Sequence, residues 1–90
     1  LANAPIEDQK MESTHFAKWL MGIMNRNDIE IAQLADRTGV SRKDVRNWIR
    51  GRSIPKTAYF VFLLKALAQI TDCEEEILYL NASRAILRDS

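Results

Sequence analysis

Residues 31–51, IAQLADRTGVSRKDVRNWIRG, constrain this chain more than any other segment. Their apolar spacing reads as two short helices joined by a tight turn at Gly39. Ala35 is small enough to stand where two helices cross, and Val45 and Trp48 fall on the inner side of the second helix. Gly39 occupies the position where a left-handed residue carries the least strain. Ser41 then caps the next helix, with Asp44 three residues on completing a capping-box-like pair. On that helix Lys43, Arg46, Asn47 and Arg50 lie opposite Val45, Trp48 and Ile49, with Arg42 at the border. Gly51 ends the helix and Pro55 prevents its immediate continuation.

The charge follows the same segment. The chain of 90 residues carries a net charge of only +1. Residues 37–56, however, hold seven basic groups (Arg37, Arg42, Lys43, Arg46, Arg50, Arg52, Lys56) against Asp44 alone, a local balance of +6. The rest of the chain holds six basic and eleven acidic groups, a balance of −5. A solvated helix normally mixes its signs, whereas this segregation points to one anionic partner face. Guanidinium, ammonium and amide groups are the side-chain types that suit phosphates and base edges.

The length leaves room for one small domain with one core, and the 47% hydrophobic fraction is that of a globular chain. No apolar run is long enough to span a membrane, and no secretory signal pattern opens the chain. Cys73 stands alone, so no intrachain disulfide is available and a reducing cytoplasm is expected. One Cys and one His cannot make a zinc-ligand cluster, and no metal or cofactor is expected. Catalysis is not expected either: no glycine-rich phosphate loop occurs, and Glu74, Glu75 and Glu76 sit where a helix start accounts for them. His15 reads as a surface histidine without a partner.

An N-terminal tail over residues 1–12 has no helical or strand period, and Met11 is a candidate natural start. A DNA-gripping arm is disfavoured there by Glu7 and Asp8 against Lys10. The folded domain is expected over 13–90. Its first helix runs from about Ser13 to Arg26, capped by Ser13 or Thr14, with Phe16, Trp19, Leu20, Ile23 and Met24 on one face and the methionines in the core. The second covers Ile29 to Thr38, with Ile31, Leu34, Ala35 and Thr38 inward. Residues 57–64 have strand-like composition, but the apolar character continues to Ile70 without a turn, so a fourth helix is predicted. Thr71 with Glu74 repeats the capping-box pattern and predicts the start of a fifth, which Asn81–Ser83 could interrupt. That triplet also fits a glycosylation acceptor, discounted for want of a secretory signal.

These residues resemble the helix-turn-helix domain of phage lambda repressor and Cro proteins and related XRE-type bacterial regulators. The likeness rests on Leu34–Ala35, Gly39–Val40–Ser41, Val45, Trp48, Arg50–Gly51 and Pro55 before an apolar helix, and spans roughly 14–78. It implies an all-α bundle of about five helices whose third helix enters the major groove of double-stranded DNA. It also implies base reading by Ser41, Arg42, Lys43, Arg46 and Asn47, and phosphate contacts by Arg50, Arg52, Ser53, Lys56 and Thr57. Many members begin the second helix with a Gln that touches the DNA backbone and braces the recognition helix. Ile31 stands there in this chain, so that contact is lost or Gln33 takes it over.

The expected function is a sequence-specific transcription regulator, a repressor of phage or bacterial type. The alternatives are an antitoxin-type interaction module on the same fold and a recombination or excision accessory protein. Self-association is expected from surplus apolar residues. Tyr59 and Phe62 lie off the Phe60–Leu63–Leu64–Leu67 face of the fourth helix. On the fifth, Leu78, Ala82 and Ala85 form one stripe, while Ile77, Leu80 and Leu87 form another. One stripe docks a helix, and a second marks a partner site unless residues 1–12 fold back over it. A two-fold homodimer through Tyr59, Phe62, Ile77, Leu80 and Leu87 is the expectation.

Overall fold

Thr14 sets where the first helix starts. In the computed structural model, which describes residues 14–89, Thr14 is extended and its Oγ1 accepts a hydrogen bond from the Ala17 amide at 3.1 Å. Helix α1 then runs His15–Arg26. It stops where the Asn27 amide side chain donates to the Ile23 carbonyl and Asp28 takes a positive φ of 54°. The tail over residues 1–12, its arm reading, Ser13 as a cap and any cover laid over the apolar stripes lie outside the described residues.

The remaining helices are α2 (Ile31–Thr38), α3 (Arg42–Ile49), α4 (Thr57–Thr71) and α5 (Glu75–Asp89). Regular structure is entirely helical among the described residues, so the strand-like composition of 57–64 is overruled by its surroundings. Leu63, Leu64, Ala66 and Leu67 recur at helical spacing and all four are buried.

The helices close a ring of neighbours: α1 on α5 and α3, α2 on α3 and α4, and α4 on α5. Every helix contributes to one core: Phe16 and Leu20, Leu34, Val45 and Trp48, Leu63 and Leu67, and Leu78 and Ala82. The one buried polar side chain among the described residues, Thr38, donates its hydroxyl to the Leu34 carbonyl at 2.7 Å. It therefore adds no unsatisfied group to the interior.

Several local expectations change. Helix α2 begins at Ile31 rather than Ile29, although Ile29 is buried just ahead of it. Thr71 does not cap α5. Its hydroxyl turns back onto the Leu67 carbonyl at 2.7 Å, making it the last residue of α4, and Asp72 ends that helix at φ 58°. A threonine followed by a residue in the left-handed region completes a helix instead of opening one. Asn81–Ser83 does not interrupt α5, because Leu78, Ala82 and Ala85 hold that stretch on the core. Met21 is not a core residue: it faces outward, while Met24 three positions on is buried. Trp19 is half-buried, with its ring 5.7 Å from that of Phe16.

His15 is not without a partner. Its Nδ1 lies 3.0 Å from Asp89 Oδ1. The same carboxylate accepts the backbone amides of His15 at 2.7 Å and Phe16 at 3.1 Å. The last turn of α5 thus caps the first turn of α1, joining residues 74 positions apart. Partial burial works against ionisation of Asp89, but the amide bonds, the His15 bond and its charge outweigh it and hold the carboxyl below the usual range.

A lowered folded-state pKa stabilises the fold above the unfolded aspartate value of about 3.9. That contribution is lost as pH falls through the lower folded-state value. Asp89→Ala is therefore expected to destabilise the domain at neutral pH by about 1 kcal/mol, the usual size of a lost cap. The gap between variant and parent should narrow below about pH 4. Urea unfolding at several pH values measures it, and a gap independent of pH would exclude the carboxylate as its source.

Candidate nucleic-acid interface

The basic segment is built from the turn outward. Gly39 takes φ 79°, and its amide donates to the Ala35 carbonyl, so α2 stops within one residue. A Cβ at Gly39 would meet nothing within 4 Å. Glycine is preferred there for its backbone freedom rather than for close approach. Two residues on, Ser41 Oγ accepts the Asp44 amide at 3.1 Å and starts α3. The far end is fixed as firmly. Gly51 takes φ 73°, its amide donating to the Trp48 carbonyl while that of Arg52 reaches the Asn47 carbonyl at 2.9 Å. This paired arrangement is a Schellman motif. It ties the backbone of Arg52 directly to that of Asn47.

Between these caps α3 has two faces. Val45 and Trp48 are buried and Ile49 is half-buried against the core. Ser41, Arg42, Lys43, Arg46 and Arg50 are exposed, and Asn47 is half-exposed beside them. Arg42 and Arg46 stand one turn apart along an open groove shared with Met21, Glu30 and Ile31. Lys43 and Arg50 lie furthest from the buried face by helical spacing. Among the described residues no carboxylate forms an ion pair with any of these cations. So many like charges on one short helix repel one another unless an anion lies across them.

The surface continues beyond α3. Arg52, Ser53, Lys56 and Thr57 are all exposed. Lys56 is the N-cap of α4 and makes no side-chain cap, so the first amides of that helix point outward unmet by its own side chain. Free amides at a helix start, with a lysine beside them, are suited to a phosphate. Gln33 is also exposed, but it does not line the groove with Arg42 and Arg46. Ile31 occupies that groove and packs on the core.

The five residues assigned to self-association, Tyr59, Phe62, Ile77, Leu80 and Leu87, are all exposed. Tyr59 and Phe62 touch, their rings 6.5 Å apart, and Phe62 lines a groove with Arg37 and Lys65. Leu80 instead lines an open groove with Val61 and Tyr79 between α4 and α5. Ile77 and Leu87 stand out from α5, the latter 72% exposed. Val61, Tyr79 and Ile54 are further exposed apolar residues that the sequence pattern did not single out. Each lies one position from a residue or cap that dominated the local reading.

A family model described as helix-turn-helix matches residues 20–76. The chain belongs to the lambda repressor-like helix-turn-helix family. The match begins within α1 and ends at the first turn of α5, so it contains the whole basic surface and both of its glycine turns. No curated protein and no solved structure matches the chain. Among the described residues the chain is five α-helices without strands, the lambda repressor-like fold of a DNA-binding helix-turn-helix family. Among the described residues no helix is long and apolar enough to cross a membrane.

Proposed function

We propose that this helix-turn-helix protein is a sequence-specific regulator of transcription that lays α3 in the major groove of an operator. The observation that carries this reading is the outward face of α3. It presents uncompensated cations and an amide on a helix capped at Ser41 and closed at Gly51. In this reading Ser41, Arg42, Lys43, Arg46 and Asn47 meet base edges. Arginine forks onto guanine and asparagine onto adenine. Arg50, Arg52, Ser53, Lys56, Thr57 and Gln33 hold phosphates, giving affinity that falls with salt and ignores sequence. Occupying an operator blocks or recruits polymerase, and repression is the simpler outcome for a small domain.

We also propose a homodimer. Leu80 and Leu87, half or more exposed on α5, support it, as does the neighbouring groove with Val61 and Tyr79. A two-fold pair sets its recognition helices about 34 Å, or a multiple, apart on one face of DNA. The same exposed apolar surface favours the second reading, an antitoxin-type module whose α4–α5 surface holds another protein.

Selection of binding sites from random duplex DNA, with sedimentation of the complex, tests these proposals. A two-fold related consensus and two chains per site are expected. Leu80→Glu with Leu87→Glu should leave one chain per half-site and an intact helical fold, the melting temperature falling only by what association contributes. A selected pool without consensus would overturn sequence-specific regulation. One chain per site in the parent would overturn the dimer.

A further inference from the structure

We propose that the groove between α1 and α5 binds an acidic, partly apolar segment of a partner protein. Five basic residues are described outside 37–56: Lys18, Arg26, Lys65, Arg84 and Arg88. Three of them, Lys18, Arg84 and Arg88, converge on one open groove of about 440 Å³, at whose edge stands His15. All three are exposed, and among the described residues no carboxylate pairs with any of them. Among the described residues Asp89, which ends α5, is already held by the amides of His15 and Phe16 and by the His15 ring. Lys65, by contrast, has Glu75 at 3.7 Å. The groove is thus a second concentration of positive charge, away from the basic segment.

Its position separates it from the DNA-binding surface. Arg42 and Arg46 line the groove that α1 shares with α2 and α3, beside Met21, Met24 and Asn25. Lys18, Arg84 and Arg88 line the groove on the α5 flank of α1. The two grooves share no lining residue, and this inference stands whether or not α3 reads bases.

The chemistry favours a peptide carboxylate over a nucleic-acid phosphate. The half-buried Trp19 and the buried Ala85 give the groove an apolar lining. An alternating acidic and apolar segment meets that lining and the rim together, whereas a duplex backbone offers phosphate alone. Arg84 and Arg88 are one helical turn apart, which puts them roughly 6 Å from each other along the axis. Carboxylates on alternate residues of an extended segment recur at roughly 6–7 Å, so two can be forked in succession.

The test is a titration of the full chain, isotope-labelled for NMR. The probes are a short peptide alternating Glu and Leu, its Gln-for-Glu counterpart, and a random-sequence duplex. The acidic peptide should shift the amides of residues 15–19 and 81–88 and the Trp19 indole, and the Gln peptide should not. Arg84→Gln with Arg88→Gln should weaken the acidic peptide about tenfold, with the helical fold and duplex binding unchanged. Lys18→Glu should act in the same direction from the other helix. Shifts confined to residues 42–57 would overturn the proposal, since the peptide would then only mimic DNA. So would movement of the groove residues by the duplex, or no shift at about millimolar peptide.

Discussion

Asn47→Ala and Arg46→Ala are each expected to weaken a selected site by about 1–3 kcal/mol, much more than they weaken random duplex. Both side chains leave α3 on its outward half, Arg46 exposed and Asn47 half-exposed. In the proposed binding mode, truncating either removes a forked hydrogen-bond pair to one base, a loss that matters only where the matching base is present. Arg52→Ala should behave differently. Its residue lies past the end of α3, held there by the bond from its amide to the Asn47 carbonyl. Losing a phosphate contact should weaken both DNAs alike and reduce the slope of log affinity against log salt by about 1. Fluorescence anisotropy at several salt concentrations, with the selected and a scrambled duplex, separates the outcomes. Equal losses on both duplexes for all three variants would show that α3 positions the protein without reading sequence.

The parts of this molecule that were legible in its sequence are those decided by neighbours in the chain. Gly39, Ser41 and Gly51 announce turns and caps within a few residues, and each behaves as its local chemistry dictates. The buried face of α3 follows from spacing alone, because Val45 and Trp48 are three apart on a helix bounded at both ends. What the sequence hid depends on distant partners. Nothing near His15 foretells that Asp89 closes on it, since only the assembled bundle brings the ends of α1 and α5 together. The same holds for the groove of Lys18, Arg84 and Arg88, whose charges look like ordinary solvated residues until α1 and α5 are paired.

Thr71 was misleading for a different reason. Its spacing to Glu74 fits a cap, but a hydroxyl can equally bond backward, and the apolar run of α4 carries the helix through it. The apolar surplus on α4 and α5 was visible as a surplus. That Leu80 shares a groove with Val61 and Tyr79 while Phe62 lines one with Arg37 and Lys65 was not, because it depends on how the two helices are rotated against the core.

Trp48→Ala should have the largest effect on the fold. The side chain is 3% exposed and, with Val45, holds α3 onto a core shared with α1 and α2. Removing a buried tryptophan leaves a cavity that a small bundle can only partly fill, costing about 3–5 kcal/mol. Small domains have only about 5–15 kcal/mol in total, so a large part of the stability would go. In a domain of this size each kcal/mol corresponds to about 4–8 °C, so the melting temperature should fall by roughly 12–40 °C. Trp48→Phe, which keeps most of the apolar volume, should lose much less. DNA affinity should fall only in proportion to the unfolded fraction and should recover on cooling, because Trp48 faces away from the basic surface. Saturating duplex should also raise the variant's melting temperature, as a ligand of the folded state does. An unchanged melting temperature with lost DNA binding would instead place the indole on the DNA side of α3 and reverse the assignment of its two faces.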